Sequence, residues 1–360
     1  MRKLLTFLCF LLLVIIISTQ LIGYLEYKNS KLNPAFSELS LSDDTTIISI
    51  SAVGDCTFAT DINSLGSQSF DAEFKRNKSD YSYFFSKVKS YFENDDLTIV
   101  NFEGTLSENG TRADKEFAFR GNPEYVKILT SSSVEAANLA NNHSRDYGEI
   151  SLQDTKNILS ENDIIWFEGK NYAIKEINGI KVGLIGTNTQ RNGDKASLIK
   201  NLKELKTHNP ALIIASFHWG EESKKQPNDS QIELAHAAID NGVDLVIGHH
   251  PHVLQGIEKY KGKYILYSLG NFCFGGNKNP SDKDTMIFKQ SFVFVDGKLI
   301  EKDNASILPC SISSVTSRNN YQPVPLTGKE FKRVQKKIKD RSKGFKGIED
   351  VTFIRAYTQD

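Results

Sequence analysis

Six positions in this chain carry side chains suited to holding a cation: Asp55, Glu103, Asn142, His218, His250 and His252. They offer carboxylate, amide and imidazole donors and no thiolate, a set that suits zinc, manganese or iron. Two carboxylates with several histidines are enough for one ion, or for two sharing a bridge, and such a pair activates water while neutralising a phosphate-like group. The donors are densest at Gly248-His249-His250-Pro251-His252, where three of the chain's seven histidines fall together. The proline between His250 and His252 restricts the backbone and holds the two rings in fixed directions.

Each donor follows an apolar run, so the elements that position them are readable from periodicity. Val243–Ile247 stops at Gly248, and Thr45–Val53, rich in β-branched residues, stops at Gly54-Asp55. Leu97–Val100 runs into Asn101-Phe102-Glu103-Gly104, and Val134–Ala140 into Asn141-Asn142-His143. Ile180–Ile185 ends at Gly186-Thr187-Asn188, Ala211–Phe217 at His218-Trp219-Gly220-Glu221-Glu222, and Tyr264–Leu269 at Gly270-Asn271-Phe272. Short apolar runs bounded by glycine read as buried strands, and ligands gather at the carboxyl ends of such strands. Helices are expected over 80–92, 151–160 and 230–240, with Gly242 as the last one's stop and His236 inside it as a structural residue. Strands alternating with helices predict an α/β sheet with one functional edge. Residues 106–116 form a polar excursion beside that edge. Beyond residue 285 the pattern becomes a hairpin around Asp296-Gly297. The basic stretch Thr327–Lys346 reads as a solvated helix face.

The 360 residues carry 44 basic and 44 acidic side chains, so no global field favours nucleic acid. Residues 1–25 are the exception to an ordinary composition: Arg2 and Lys3 precede an uncharged apolar run, Leu4–Ile22, long enough to cross a bilayer. The expectation is a single-pass cell-membrane anchor with a cytoplasmic N-terminus and an extracellular domain. Residues 26–44 read as a stalk, 45–300 as the main domain, and 301–360 as a C-terminal extension with a basic helix. Cys56, Cys273 and Cys310 are too few for a disulfide framework, and no CxxC is present.

Taken in order over roughly residues 47–285, the motifs have a known counterpart. Gly54-Asp55, Asn101-Phe102-Glu103, Ala140-Asn141-Asn142-His143 with Asp146 and Gly148, His218-Trp219-Gly220-Glu221, Gly248–His252 and Ser268–Phe272 resemble the CapA family. These are bacterial capsule synthesis proteins associated with poly-γ-glutamate, also called PgsA-like. The family is similar to the calcineurin-like metallophosphatases, which implies an α/β sandwich of two β-sheets flanked by helices. It implies Asp55 on one metal, Glu103 at the bridging position, Asn142 as the amide ligand, His218 and His250 on the second metal, and His252 returning to the first. His143 then takes the part of the general acid, helped by Asp146.

Two departures stand out. The phosphatases carry Asp-x-His where this chain has Asp55-Cys56-Thr57, so one imidazole is missing, and Glu103 replaces a bridging aspartate. His249, Asn271 and Glu221 are expected as substrate or supporting contacts, Glu221 and Glu222 being equally readable as loop charges. The implied function is a membrane-anchored hydrolase with one or two divalent ions (Mn, Fe or Zn), acting on a phosphoester or related bond in an envelope polymer. The alternative is a non-catalytic accessory that binds an anionic, poly-γ-glutamate-like polymer beside capsule synthase and export proteins.

Overall fold

The computed structural model describes residues 45–189, 194–300 and 304–356. The expected membrane segment 1–25 and stalk 26–44 lie outside the described residues. The first sheet begins with β1 (Thr45–Thr57) and β2 (Leu97–Phe102), and a short pair, β3 (Thr105–Leu106) with β4 (Arg120–Gly121), brackets the polar excursion. β5 (Ala136–Asn138) and β6 (Ile165–Phe167) extend the first sheet. A second sheet follows from β7 (Ala173–Ile177), β8 (Ile180–Asn188), β9 (Leu212–His218), β10 (Leu245–His249), β11 (Ile257–Tyr260) and β12 (Lys263–Leu266). The chain then returns to the first sheet with β13 (Asn271–Phe274), β14 (Asp284–Val295), β15 (Lys298–Ile300), β16 (Ala305–Ser311), β17 (Val324–Pro325) and β18 (Thr352–Phe353).

The first sheet runs β17-β16-β14-β1-β2-β5-β6, with β13, β15 and β18 attached, and the second runs β11-β12-β10-β9-β8-β7. Side-chain alternation decides which face each strand buries. Ile48, Ile50 and Ala52 of β1 meet Leu184 of β8, Ile214 of β9 and Ile247 of β10 in one core between the sheets. The intervening residues face outward and are covered by helices. Val53, Val100 and Ala137 meet Leu152 and Leu159 of α4 (Gly148–Glu161), while α1 (Phe70–Arg76), α2 (Lys89–Phe92) and α3 (Val126–Thr130) complete that layer. On the other side Ile185, Ala215 and Val246 meet α5 (Lys195–Lys206) and α6 (Asp229–Asp240). The expected sandwich flanked by helices is thus present.

Three local expectations change. No single helix spans 80–92: Asp80 caps a one-turn 3-10 segment at Tyr81–Tyr83, and α2 begins only at Lys89. Adjacent Phe84 and Phe85 are both fully buried, Phe84 stacked on Phe70 and Phe85 set against Phe58 and Phe272. Residues beyond 300 are no appendage. β16 pairs along Asp284–Gln290 of β14, and Phe331, Val334 and Ile338 of α7 (Gly328–Arg341) are buried. The basic face of α7 is only partly solvated, because Arg333 and Lys337 grip Asp282 and Asp284. The hairpin at Asp296-Gly297 forms as expected.

Candidate metal centre

The parallel strands of both sheets deliver their carboxyl ends to one rim. Asp55 closes β1, beside Asn101 on β2 in register, and His218 and His249 end β9 and β10 as direct neighbours. Two glycines permit this convergence. A Cβ at Gly54 would stand 2.0 Å from the Gly270 carbonyl oxygen, and one at Gly248 would stand 2.2 Å from that of Tyr267. The Asp55 N–H instead donates to the Gly270 carbonyl at 2.9 Å. His250 and His252 both adopt positive φ, 95° and 57°, a left-handed conformation uncommon for residues other than glycine, which aims two rings from one short loop.

Asp55 is fully buried and lies 3.1 Å from Nδ1 of His249 and 3.1 Å from Nδ1 of His252. Asn101 Nδ2 donates to Asp55 Oδ1 at 2.9 Å and to Glu103 Oε1 at 3.1 Å. Asn138 Nδ2 donates in turn to Asn101 Oδ1 at 3.0 Å, which fixes the orientation of that amide. His218 Nδ1 stands 3.6 Å from Glu103 Oε1, and its Nε2 stands 2.7 Å from Asn142 Oδ1. Asn271 Oδ1 lies 2.8 Å from His252 Nδ1. His218 and His250 face each other with ring centroids 4.6 Å apart. The rim therefore brings together Asp55, Glu103, Asn142, His218, His249, His250, His252 and Asn271.

Two donor groups emerge inside it, and they divide the ligands differently from the family pattern, which put His252 with Asp55 and His218 with His250. Asp55, Glu103 and His218 are all buried and present ligand atoms within 4.8 Å of one another; Glu222, His250 and His252 do the same toward the surface. Glu221, exposed like Glu222, belongs to neither group and pairs with Lys224 at 3.7 Å. The residues fit a cation on an independent ground: Glu103 Oε2 and Thr57 Oγ1 are buried and have no hydrogen-bond partner among the described residues. A buried carboxylate oxygen left that way is costly unless something positive faces it.

The charged groups of the rim shift one another's protonation. Burial raises the Asp55 carboxyl, but hydrogen bonds from His249 and His252 outweigh it and hold its pKa well below the usual range. Burial and the Asp55 charge push Glu103 well above. Burial, reinforced by His250, holds His218 well below the ordinary histidine value, and burial with His252 lowers His250 to about 4. Both are therefore neutral near pH 7, the form in which imidazole binds metal. Burial opposes the charge on His252, yet Glu103 and Asp55 prevail and raise it to about 10.

Next to the donors sits a polar triad. His143 Nδ1 is 2.7 Å from Asp146 Oδ2, which also accepts the Phe119 N–H at 2.7 Å. Lys115 Nζ donates to Asp146 Oδ1 at 2.8 Å and to the Asn142 carbonyl at 3.1 Å. Burial outweighs Asp146 and lowers the His143 pKa. The excursion between β3 and β4 is thus tied to the rim through Lys115, and through Arg112, which donates to Asp61 at 2.7 Å. Sequence reasoning passed over Asn101, Lys115 and Glu222 as site residues. Asn101 and Glu222 lay inside the noted strand-end motifs, whereas Lys115 had no local signal.

With this geometry in view, comparison with known proteins becomes decisive. Residues 49–276 match the family model of the bacterial capsule synthesis protein PGA_cap. The chain belongs to this family. Within it, the PGA biosynthesis protein CapA of Bacillus subtilis is 35% identical over 217 residues, covering 53% of this chain and 56% of the relative. The capsule biosynthesis protein CapA of Bacillus anthracis is 33% identical over 220 residues, covering 53% and 54%. A probable polyglutamine synthesis accessory protein of Mycobacterium tuberculosis is 27% identical over 208 residues, covering 49% and 55%. The matched part of this PGA_cap chain thus spans about half the length of these curated relatives.

Proposed function

We propose that this PGA_cap protein is a metal-dependent hydrolase of capsule biosynthesis, held at the outer face of the cell membrane by residues 1–25. Its substrate is a phosphoester or related bond in an anionic, poly-γ-glutamate-like envelope polymer, and its neighbours are the capsule synthase and export proteins. The observation that carries the reading is the buried Asp55–Glu103–His218 donor group beside the His143–Asp146 pair. Asp55, Glu103 and His218, with Asn142, would hold one divalent ion, and Glu222, His250 and His252 a second. Such ions supply Lewis acidity and charge neutralisation at the scissile group.

The chain's own residues do the rest. Asp146 keeps Nδ1 of His143 engaged, so the opposite ring nitrogen, Nε2, is the one that moves a proton between water and the leaving oxygen. Lys115 and the Phe119 N–H pin Asp146 and so hold the ring's orientation. Asn101 keeps the two carboxylates apart and directed. A second reading, a non-catalytic polymer-binding accessory, draws on Thr57 standing where the phosphatases have an imidazole and on the accessory role in the name of the mycobacterial relative.

The test is to purify the full chain, measure bound Mn, Fe and Zn, and assay p-nitrophenyl phosphoesters. Bound metal together with turnover that is lost in Asp55→Ala and His250→Ala supports the hydrolase. Activity that survives both substitutions refutes it.

A further inference from the structure

A second cavity opens on the same rim and belongs to none of the chemistry above. It has a volume of about 560 Å³ and is walled by Ala140, Asn141 and Arg145 after β5, the Glu168-Gly169-Lys170 turn, the end of β8 and the first turns of α5. That size lies within the usual span of small-ligand sites, roughly 300–1,000 Å³. It adjoins the metal centre directly. Asn141 lines it and is followed by Asn142 and His143, and Asn188 lines it while pairing in register with His218.

Its charge is one-sided. Arg145, Lys170 and Lys200 line it against a single carboxylate, Glu168, and because Arg145 is itself paired with Glu168 and Glu149, the two lysines carry the unmatched charge. Glu168 is already engaged twice, by Arg145 and by Lys156 at 2.9 Å. Asp194, at the start of α5, is committed to the Ser197 N–H at 2.7 Å. Lys170 and Lys200 are exposed and form no ion pair among the described residues. Asn188 and Asn201 add amide donors to the wall.

We propose that this cleft is a subsite for carboxylate groups of the polymer, binding the stretch next to the bond presented at the metal centre. The cleft's cations come from three separate elements, the turn after β5, the Glu168–Lys170 turn and α5, and single lysine charges suit carboxylates carried on an anionic chain. The inference rests on the polymer reading above, but not on catalysis.

The experiment follows fluorescein-labelled poly-γ-glutamate binding to the full chain in detergent by anisotropy, before and after metal removal with EDTA. The double variant Lys170→Glu/Lys200→Glu should bind roughly tenfold more weakly, the scale of one or two lost charge-assisted contacts. The matched reversal Lys329→Glu/Lys332→Glu, on α7, should leave affinity within about twofold. EDTA should abolish turnover while the cleft-dependent difference between the two variants persists, so failure of the hydrolase reading is seen separately. Equal binding by wild type and the cleft variant, or equal weakening by the α7 variant, would overturn the subsite. So would full displacement of the polymer by inorganic phosphate at matched ionic strength.

Discussion

Asp146 Oδ2 lies 2.7 Å from His143 Nδ1 and receives the Phe119 N–H from the opposite side. This arrangement specifies which ring nitrogen is free for proton transfer. Asp146→Asn keeps the shape but offers an amide that can present either an acceptor or a donor to the ring. Turnover should fall by about 10²–10⁴, the usual contribution of a positioned acid or base, while metal content stays unchanged. Parallel kinetics and elemental analysis check it; loss of metal along with rate would make Asp146 structural.

Asp55 is the partner of two histidines as well as a proposed ligand. Asp55→Asn should therefore release metal and also lower stability, by roughly 3–5 kcal/mol, the cost of leaving a buried charge unmatched. Denaturant unfolding of the metal-free protein isolates the second effect, and an unchanged midpoint would contradict the geometry.

Glu222 and Glu221 should behave differently despite being neighbours. Glu222→Gln should reduce bound metal toward one ion per chain, with the melting temperature nearly unchanged because the side chain is exposed. Glu221→Gln should leave both quantities as they were. Metal stoichiometry after equilibrium dialysis decides the matter.

Gly54 tests the convergence of the strands. Gly54→Ala places a methyl group 2.0 Å from a backbone oxygen that has no room to withdraw. Overpacking of this kind costs roughly 1–3 kcal/mol or more, measurable by chemical denaturation.

Asp95, remote from the rim, predicts a pH effect. Burial raises its carboxyl to about 7 despite opposing contacts from Ser51, Lys289 and Thr98. A folded pKa above the unfolded one, roughly 3.9, means the folded state binds the proton more tightly. The resulting stability is present in full below the unfolded pKa and is lost as pH rises through about 7. Asp95→Asn lacks this dependence. Melting temperatures of the two proteins should therefore converge or favour wild type near pH 4, and shift by a few degrees in favour of the variant by pH 8.

Much of this was legible from the chain alone, because strand-end chemistry is local. Val243–Ile247 followed by Gly248 announced both β10 and the donors it carries. What periodicity could not show was long-range. Lys115 meets Asp146 across 31 positions, from a stretch whose only signature was polarity. The same holds for β16: its residues gave no sign that they would pair with β14 and enter the first sheet. The broken helix at 80–92 failed for a related reason, since Phe85 is buried against Phe272, a partner that local periodicity does not reveal.

Placing β14, β16 and β18 between or beyond strands laid down at the start has a temporal consequence. β1, which carries Asp55, borders β14, and β14 waits for β16, whose far neighbour is β18 at Thr352–Phe353. Translation delivers β1 first, so everything up to Thr352–Phe353 must emerge before that layer is complete. Until β13 and β14 have emerged, β1 has a sheet neighbour on one side only, and β16 and β18 then complete the edge beyond them.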